Sequence, residues 1–221
     1  MKRTVAMGFC AAVLAGLACR VATTAPKPSD VPVSWELEFA YKQPRPIQVT
    51  LPGQDDPTTF WYMEYTVTNR TEDEQVFVPD LVLYTDTGQI LRDGRGVPSL
   101  VFRKIKESVS EPLLKDQAGV SGRLLRGSNN AKDGVMIFQD IDPKAGAFDI
   151  FVGGLSGETA IVKPPHPVPV TVIGEDKKRK TVMKDEIVLS RTLQLHYKLP
   201  GEAAARFQTQ PRLVRRTWVM R

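Results

Sequence analysis

The chain has 221 residues, a quarter of them charged, and a formal net charge of +5. Lys2, Arg3 and Arg20 supply three of those positive charges and residues 1–25 contain no acid, so the remaining 196 residues carry 27 bases against 25 acids, a net +2. That near-neutrality excludes the broad basic footprint of a nucleic-acid-binding domain, while 196 residues are enough for one domain with a sizeable core.

Met1-Lys2-Arg3 is a short basic start, followed by an uncharged apolar run from Val5 to Ala18. The run is shorter than the ~20 apolar residues a helix needs to span a bilayer. Its length, position and basic flank predict a secretory signal over residues 1–25, cleaved near Ala22-Thr23-Thr24-Ala25. The expected location is therefore extracytoplasmic, periplasmic or secreted. Lipidation at Cys19 is the lesser alternative, because Gly16-Leu17-Ala18 fits the Leu-small-small pattern poorly. Both cysteines, Cys10 and Cys19, lie in this segment, so cleavage after it leaves a thiol-free protein without disulfides, thiolate chemistry or cysteine metal sites.

Residues 26–32 form a proline-rich lead-in, and a single domain is expected over residues 33–221. Val33, Trp35, Leu37, Phe39 and Tyr41 point one way and Ser34, Glu36, Glu38 and Lys42 the other, the period of a half-buried strand. Pro44, Pro46, Pro52 and Gly53 break the chain after it. The next strand, Phe60 to Thr68, places Trp61, Met63, Tyr65 and Val67 on one face and Phe60 and Tyr62 on the other. These two rings are core if the strand is covered on both sides, the favoured expectation, and a ligand-stacking platform if one face is open. Shorter strands come next at Gln75–Val78, Leu81–Thr85 and Gln89–Leu91, separated by the polar turns Asn69–Glu74 and Asp86-Thr87-Gly88. Asn69-Arg70-Thr71 is formally a glycosylation sequon, but reads as turn chemistry.

Val101, Phe102, Ile105 and Val109 recur at helical spacing between Pro98-Ser99 and Pro112, predicting one short helix over residues 99–109 that covers an end of the domain. Strands resume at Arg123–Leu125, Val135–Phe138, Phe148–Val152, Val168–Val172, from Val182, and at Thr192–Leu199. The basic tail, Arg212 to Arg221, joins four arginines to Trp218 within its span and predicts an edge strand, with contact to an anionic envelope surface as the alternative.

This succession predicts a mainly β fold: an immunoglobulin-like antiparallel β-sandwich with one short inserted helix. Tyr65-Thr66-Val67-Thr68-Asn69-Arg70-Thr71, Asp86-Thr87-Gly88 and Leu124-Leu125-Arg126-Gly127 resemble immunoglobulin-like domains of exported bacterial proteins of unknown function. The resemblance covers roughly residues 33–155. Arg126 stands where those domains usually have proline, and the helix is additional. It implies a fold and no particular chemistry.

Candidate chemistry is sparse. Gly153-Gly154-Leu155-Ser156-Gly157-Glu158-Thr159 lacks the lysine of a phosphate loop and is one glycine short of a nucleophile elbow, so it reads as a turn. His166 and His196 are the only histidines, too few for an ordinary zinc site without cysteine. Glu36 and Glu38 lie two apart on one strand, and Asp140 and Asp142 precede Pro143 without the rest of a calcium loop. Lys177-Lys178-Arg179-Lys180 follows Glu175-Asp176 and reads as a solvated loop. The expectation is a non-enzymatic extracytoplasmic module, without cofactor, that binds a protein or cell-envelope component. Phe60, Tyr62 and Trp218 are the candidate contact residues, and the membrane is met only through the signal or lipidated Cys19. A carbohydrate-binding module using Phe60 and Tyr62, and a hydrolase using Ser156 or the Glu36/Glu38 pair, are the alternatives.

Overall fold

The computed structural model describes residues 25–174, 177–202 and 209–221; the export segment expected over residues 1–25 falls, but for Ala25, outside them, as do both cysteines. In chain order the elements are β1 (Glu38–Tyr41), β2 (Arg45–Val49), β3 (Thr58–Thr68), β4 (Gln75–Phe77), β5 (Asp80–Thr85), β6 (Ile90–Arg92), α1 (Ser99–Val109), α2 (Gln117–Val120) and β7 (Gly122–Leu124). They continue with β8 (Lys132–Gln139), β9 (Ala147–Gly153), β10 (Thr159–Val162), β11 (Val168–Ile173), β12 (Arg179–Lys184), β13 (Ile187–Lys198) and β14 (Arg212–Met220).

Two antiparallel sheets face each other. In the first, β8 pairs one edge of β3, and β1 and β2 succeed one another along its opposite edge. Between the Tyr41↔Tyr65 and Arg45↔Tyr62 pairs the outer strand uses one residue more than β3, a bulge that kinks it at Lys42–Pro44. The bulge is held by Glu64, nearly buried, which accepts from Lys42 Nζ at 2.6 Å and pairs with Arg45. Pro46 is accommodated in β2 because β2 is an edge strand, where a missing N–H leaves no ladder bond broken. The second sheet runs β6-β5-β9-β13-β14, with β10 continuing alongside the first half of β13.

The inner faces share one core. Trp61, Met63, Tyr65 and Val67 of β3, with Met136 and Phe138 of β8, meet Leu81 and Leu83, Phe148, Ile150 and Val152, and Leu193, Leu195 and Tyr197 of the second sheet. Phe148 links the layers, edge-on to Trp61 at 6.2 Å and stacked on Tyr197 at 5.3 Å. The chain enters by changing sheets: Leu37 N donates to Leu155 O at 2.8 Å and Gly157 N to Trp35 O at 3.1 Å, whereas Glu38–Tyr41 pair with β3. The alternation expected from Val33 onward therefore begins at Trp35, and Val33 is exposed.

Helix α1 occupies the predicted span but not the predicted place. It lies on the outer face of the first sheet, where Val101 and Ile105 close over Phe60, Tyr62, Val135, Ile137 and Val49. An end-capping helix would leave those five side chains in water. Burying them supplies the driving force that fixes α1 across the sheet. This third layer explains why β3 is apolar on both faces.

Asn69, fully buried, ties the turn after β3 to the end of β7. Its Nδ2 donates to Asp73 O at 2.8 Å and Leu124 O at 3.0 Å, and its Oδ1 accepts from Thr71 N and Thr71 Oγ1. Asn69→Ala orphans these groups and is expected to cost about 3 kcal/mol, measured as a lowered urea midpoint with unchanged slope; a loss below about 0.5 kcal/mol would mean the turn stands without it.

Beyond β10 the chain leaves the body. β11 and β12 form a two-stranded hairpin closed by Gly174 N donating to Lys178 O at 2.9 Å, and among the described residues neither strand packs extensively on another element. This arm is rooted on the β10–β13 pair and steadied at its base by a Lys163–Glu186 ion pair at 3.2 Å.

Candidate functional site

The second sheet is wider than the first. In the β13–β14 register Leu193 faces Trp218 and Leu195 faces Arg216. Paired residues project to the same side, and Leu193 and Leu195 are fully buried in the core; Trp218 and Arg216 therefore point inward too, Trp218 against the margin of the core and Arg216 to the Tyr41 hydroxyl of β1. The lead-in crosses this margin of the second sheet, and between the two lies a groove of about 660 Å³ lined by Pro26, Ser29, Arg191, Arg216, Trp218 and Met220.

A buried ion cluster forms the groove's inner wall. Arg191 Nη1 donates to Glu158 Oε2 at 2.9 Å, and its Nη2 lies 3.3 Å from Glu36 Oε2. The guanidinium also sits 4.7 Å from the Trp218 ring centroid. Ser29 N donates to Glu158 Oε1 at 2.8 Å, which pins the lead-in to the sheet. That backbone N–H, with Arg191, holds the Glu158 carboxyl below its usual range against the opposing effect of burial. Arg191 is thus neutralised by two carboxylates and stacked on Trp218, and the groove is lined by that partly buried ring and by Arg216, which also meets Tyr41. A ring face beside a guanidinium suits an apolar or aromatic group adjoining an acidic one.

The glycine string before this cluster has a packing role. Gly154 has φ +84°, and a Cβ there would lie 2.4 Å from Val78 O; a Cβ on Gly157 would lie 2.4 Å from Trp35 Nε1. Ser156 is nearly buried, and its Oγ accepts from Glu158 N at 3.2 Å. Glu36 pairs with Arg191 while Glu38 pairs with exposed Arg70, so the two carboxylates share no cleft. Asp142 accepts from Lys144 N at 2.9 Å, a turn contact. Among the described residues no group of three or more His, Cys, Asp or Glu is placed to hold a metal ion, and no helix is long and apolar enough to cross a membrane.

Of the three contact residues expected from sequence, only Trp218 lies at this groove. Phe60 is 0% exposed and Tyr62 6%, both beneath α1, so β3 is covered on both faces as the favoured reading expected, and the contact role assigned to the two rings is corrected. The carbohydrate alternative loses the two rings on which it stood.

Two further clusters escaped the sequence. On the outer face of the second sheet, Asp149 Oδ1 accepts from Gln194 Nε2 at 2.9 Å and meets His196 Nδ1 at 3.0 Å, while Arg221 lies 5.0 and 4.7 Å from the Tyr84 and Phe151 ring centroids. His196 is thus partnered and half-buried. At the edge of β8 away from β3, Asp93 is 8% exposed; its Oδ1 accepts from Ile137 N at 2.7 Å, whereas Oδ2 has no partner among the described residues. Burial, reinforced by Asp116, pushes this carboxyl up to about 7 against the pull of the Ile137 N–H. Alternating apolar patterns do not mark either cluster, because each is assembled from strands distant in sequence.

Comparison with family models, with curated proteins and with solved structures finds no match to this chain.

Proposed function

We propose that the chain is an exported, non-enzymatic binding module with an immunoglobulin-like β-sandwich, and that it engages a protein of the cell envelope through the groove at β14. The observation that carries this reading is the margin of the second sheet at β14, where Trp218 and Arg216 line a groove of about 660 Å³ beside the lead-in. Accessible apolar surface rimmed by polar groups marks an interaction site. Among the described residues β14 is also an edge strand, so an extended segment can add to it through main-chain hydrogen bonds while its side chains enter the groove.

The immunoglobulin-like part of the reading is supported by the sheet-switching entry strand, the antiparallel facing sheets and the roles of the resembling motifs. Asn69 is the buried staple of the turn after β3, and the Asp86-Thr87-Gly88 turn joins β5 to β6, with Gly88 at φ +88°. Export rests on the basic, apolar start of the chain.

The test expresses the full chain with its own start in a bacterial host, fractionates the cells, and recovers cross-linked partners from the envelope. The expected result is extracytoplasmic recovery with a specific envelope protein, reduced at least tenfold by Arg216→Glu and by Trp218→Ala. A cytoplasmic location overturns the export part. Recovery of no partner, or recovery indifferent to both substitutions, overturns the groove.

A further inference from the structure

Among the described residues the β11–β12 arm presents two open edges of different character. From the closing pair Gly174/Lys178 and the β11–β12 register, the hydrogen-bonded pairs along the hairpin are Val172/Lys180, Val170/Val182 and Val168/Lys184. The alternate residues Pro169, Thr171 and Ile173 of β11 therefore turn their backbone groups outward, away from β12. Strand β12 carries Arg179, Lys180 and Lys184, the type of charged guard that blunts an edge. Strand β11, Val168-Pro169-Val170-Thr171-Val172-Ile173, carries no charge. Ile173 and Met183 are 75% and 62% exposed, and a two-stranded ribbon is marginal by itself.

We propose that the arms of two copies of this chain pair antiparallel along β11, centred on Thr171, to form a four-stranded sheet across a two-fold axis. In that register each Thr171 exchanges both backbone bonds with its counterpart, and each Ile173 N–H donates to the opposite Pro169 carbonyl. Every outward N–H that β11 possesses is then used; Pro169, which has none, is the one position where a donor is missing. Val170 lies opposite Val172 and Pro169 opposite Ile173, so cross-strand neighbours are apolar. Because Thr171 already pairs with Thr181, the two-fold creates a row of four threonines across the sheet. No like charges meet. The same operation on β12, centred on Thr181, sets Lys184 opposite Lys178 and opposes pairing. An interface of this kind is isologous and closes on itself. It is separate from the groove at β14 and stands or falls without it.

The test uses the chain carrying Cys10→Ser and Cys19→Ser, in which a single introduced thiol reports on one position. Facing hydrogen-bonded residues lie about 5.5 Å apart at Cα, within disulfide reach, so Thr171→Cys is expected to give a covalent dimer under mild oxidation. Thr181→Cys, at the outer strands of the four, is expected to give none. In parallel, sedimentation equilibrium on the unmodified chain should show a monomer–dimer equilibrium, and Thr171→Pro, which removes an outward N–H without touching a bond to β12, should weaken it at least tenfold. Circular dichroism of Thr171→Pro checks that the body remains folded, and Thr171→Lys, which keeps the strand but sets two cations opposite each other, serves if it is not. A strictly monomeric chain, equal cross-linking at positions 171 and 181, or a dimer indifferent to both the proline and the lysine substitution overturns the proposal. Loss of envelope-partner recovery with the dimer intact would indict the groove alone.

Discussion

Asp93→Asn is expected to stabilise the protein at pH 8 and to leave it unchanged near pH 4. An unfolded aspartate titrates near 3.9, whereas burial and Asp116 push the folded-state Asp93 carboxyl up to about 7. Between those values the native state holds a proton that the unfolded chain has released. Stability therefore falls as pH rises from about 4 to about 7 and is level above it. The full difference, about three units, amounts to about 4 kcal/mol. Asparagine keeps the oxygen that accepts from Ile137 N and cannot ionise, so it escapes that loss. Urea unfolding at pH 4, 6 and 8 measures the gap, which should open with rising pH. A variant less stable than the original at pH 8, or a gap that widens on acidification, would show that Asp93 is ionised and stabilised by a group it does not contact in this structure.

Phe60→Ala is expected to cost 3–5 kcal/mol, roughly the range for deleting a buried phenylalanine. The ring is 0% exposed and belongs to the cluster that holds α1 to the sheet, so the loss should be accompanied by reduced helical signal before global unfolding. Phe60→Leu should recover most of it, since the volume change is small. Equilibrium urea denaturation followed at helix- and strand-sensitive wavelengths makes the measurement. A cost below about 1 kcal/mol would restore Phe60 to an accessible surface and reopen the stacking platform.

Strand after strand was legible in the sequence because period-two alternation reports burial on one side: Tyr65, Val67, Leu193, Leu195 and Tyr197 all project into the core their spacing implied. Helix α1 was legible from Val101 and Ile105 at helical spacing and from its flanking prolines. β2 was not, since Pro44 and Pro46 signal a break, and only the open side of β3 makes an edge strand with proline acceptable. β10, the four residues Thr159–Val162 directly after the glycine-rich turn, was too short to read and becomes a strand by pairing with β13. Trp218 was singled out for its arginine neighbours, yet its inward direction comes from pairing with Leu193, a partner 25 residues away in sequence.

Composition and local spacing set the β-rich character, the span of helix α1, the turns at Asn69 and Asp86–Gly88, and the near-neutral balance of the chain beyond its apolar start. All of these depend on interactions between residues close along the chain, or on composition alone. The tertiary structure decided that Phe60 and Tyr62 lie beneath a helix, that Arg191 stands between Glu36 and Glu158, that Asp93 keeps an unpartnered oxygen among the described residues, and that β11 and β12 project as a free arm. Each of those turns on which distant strands become neighbours. That choice is made by the packing of two sheet faces and one helix face, and no local pattern encodes it.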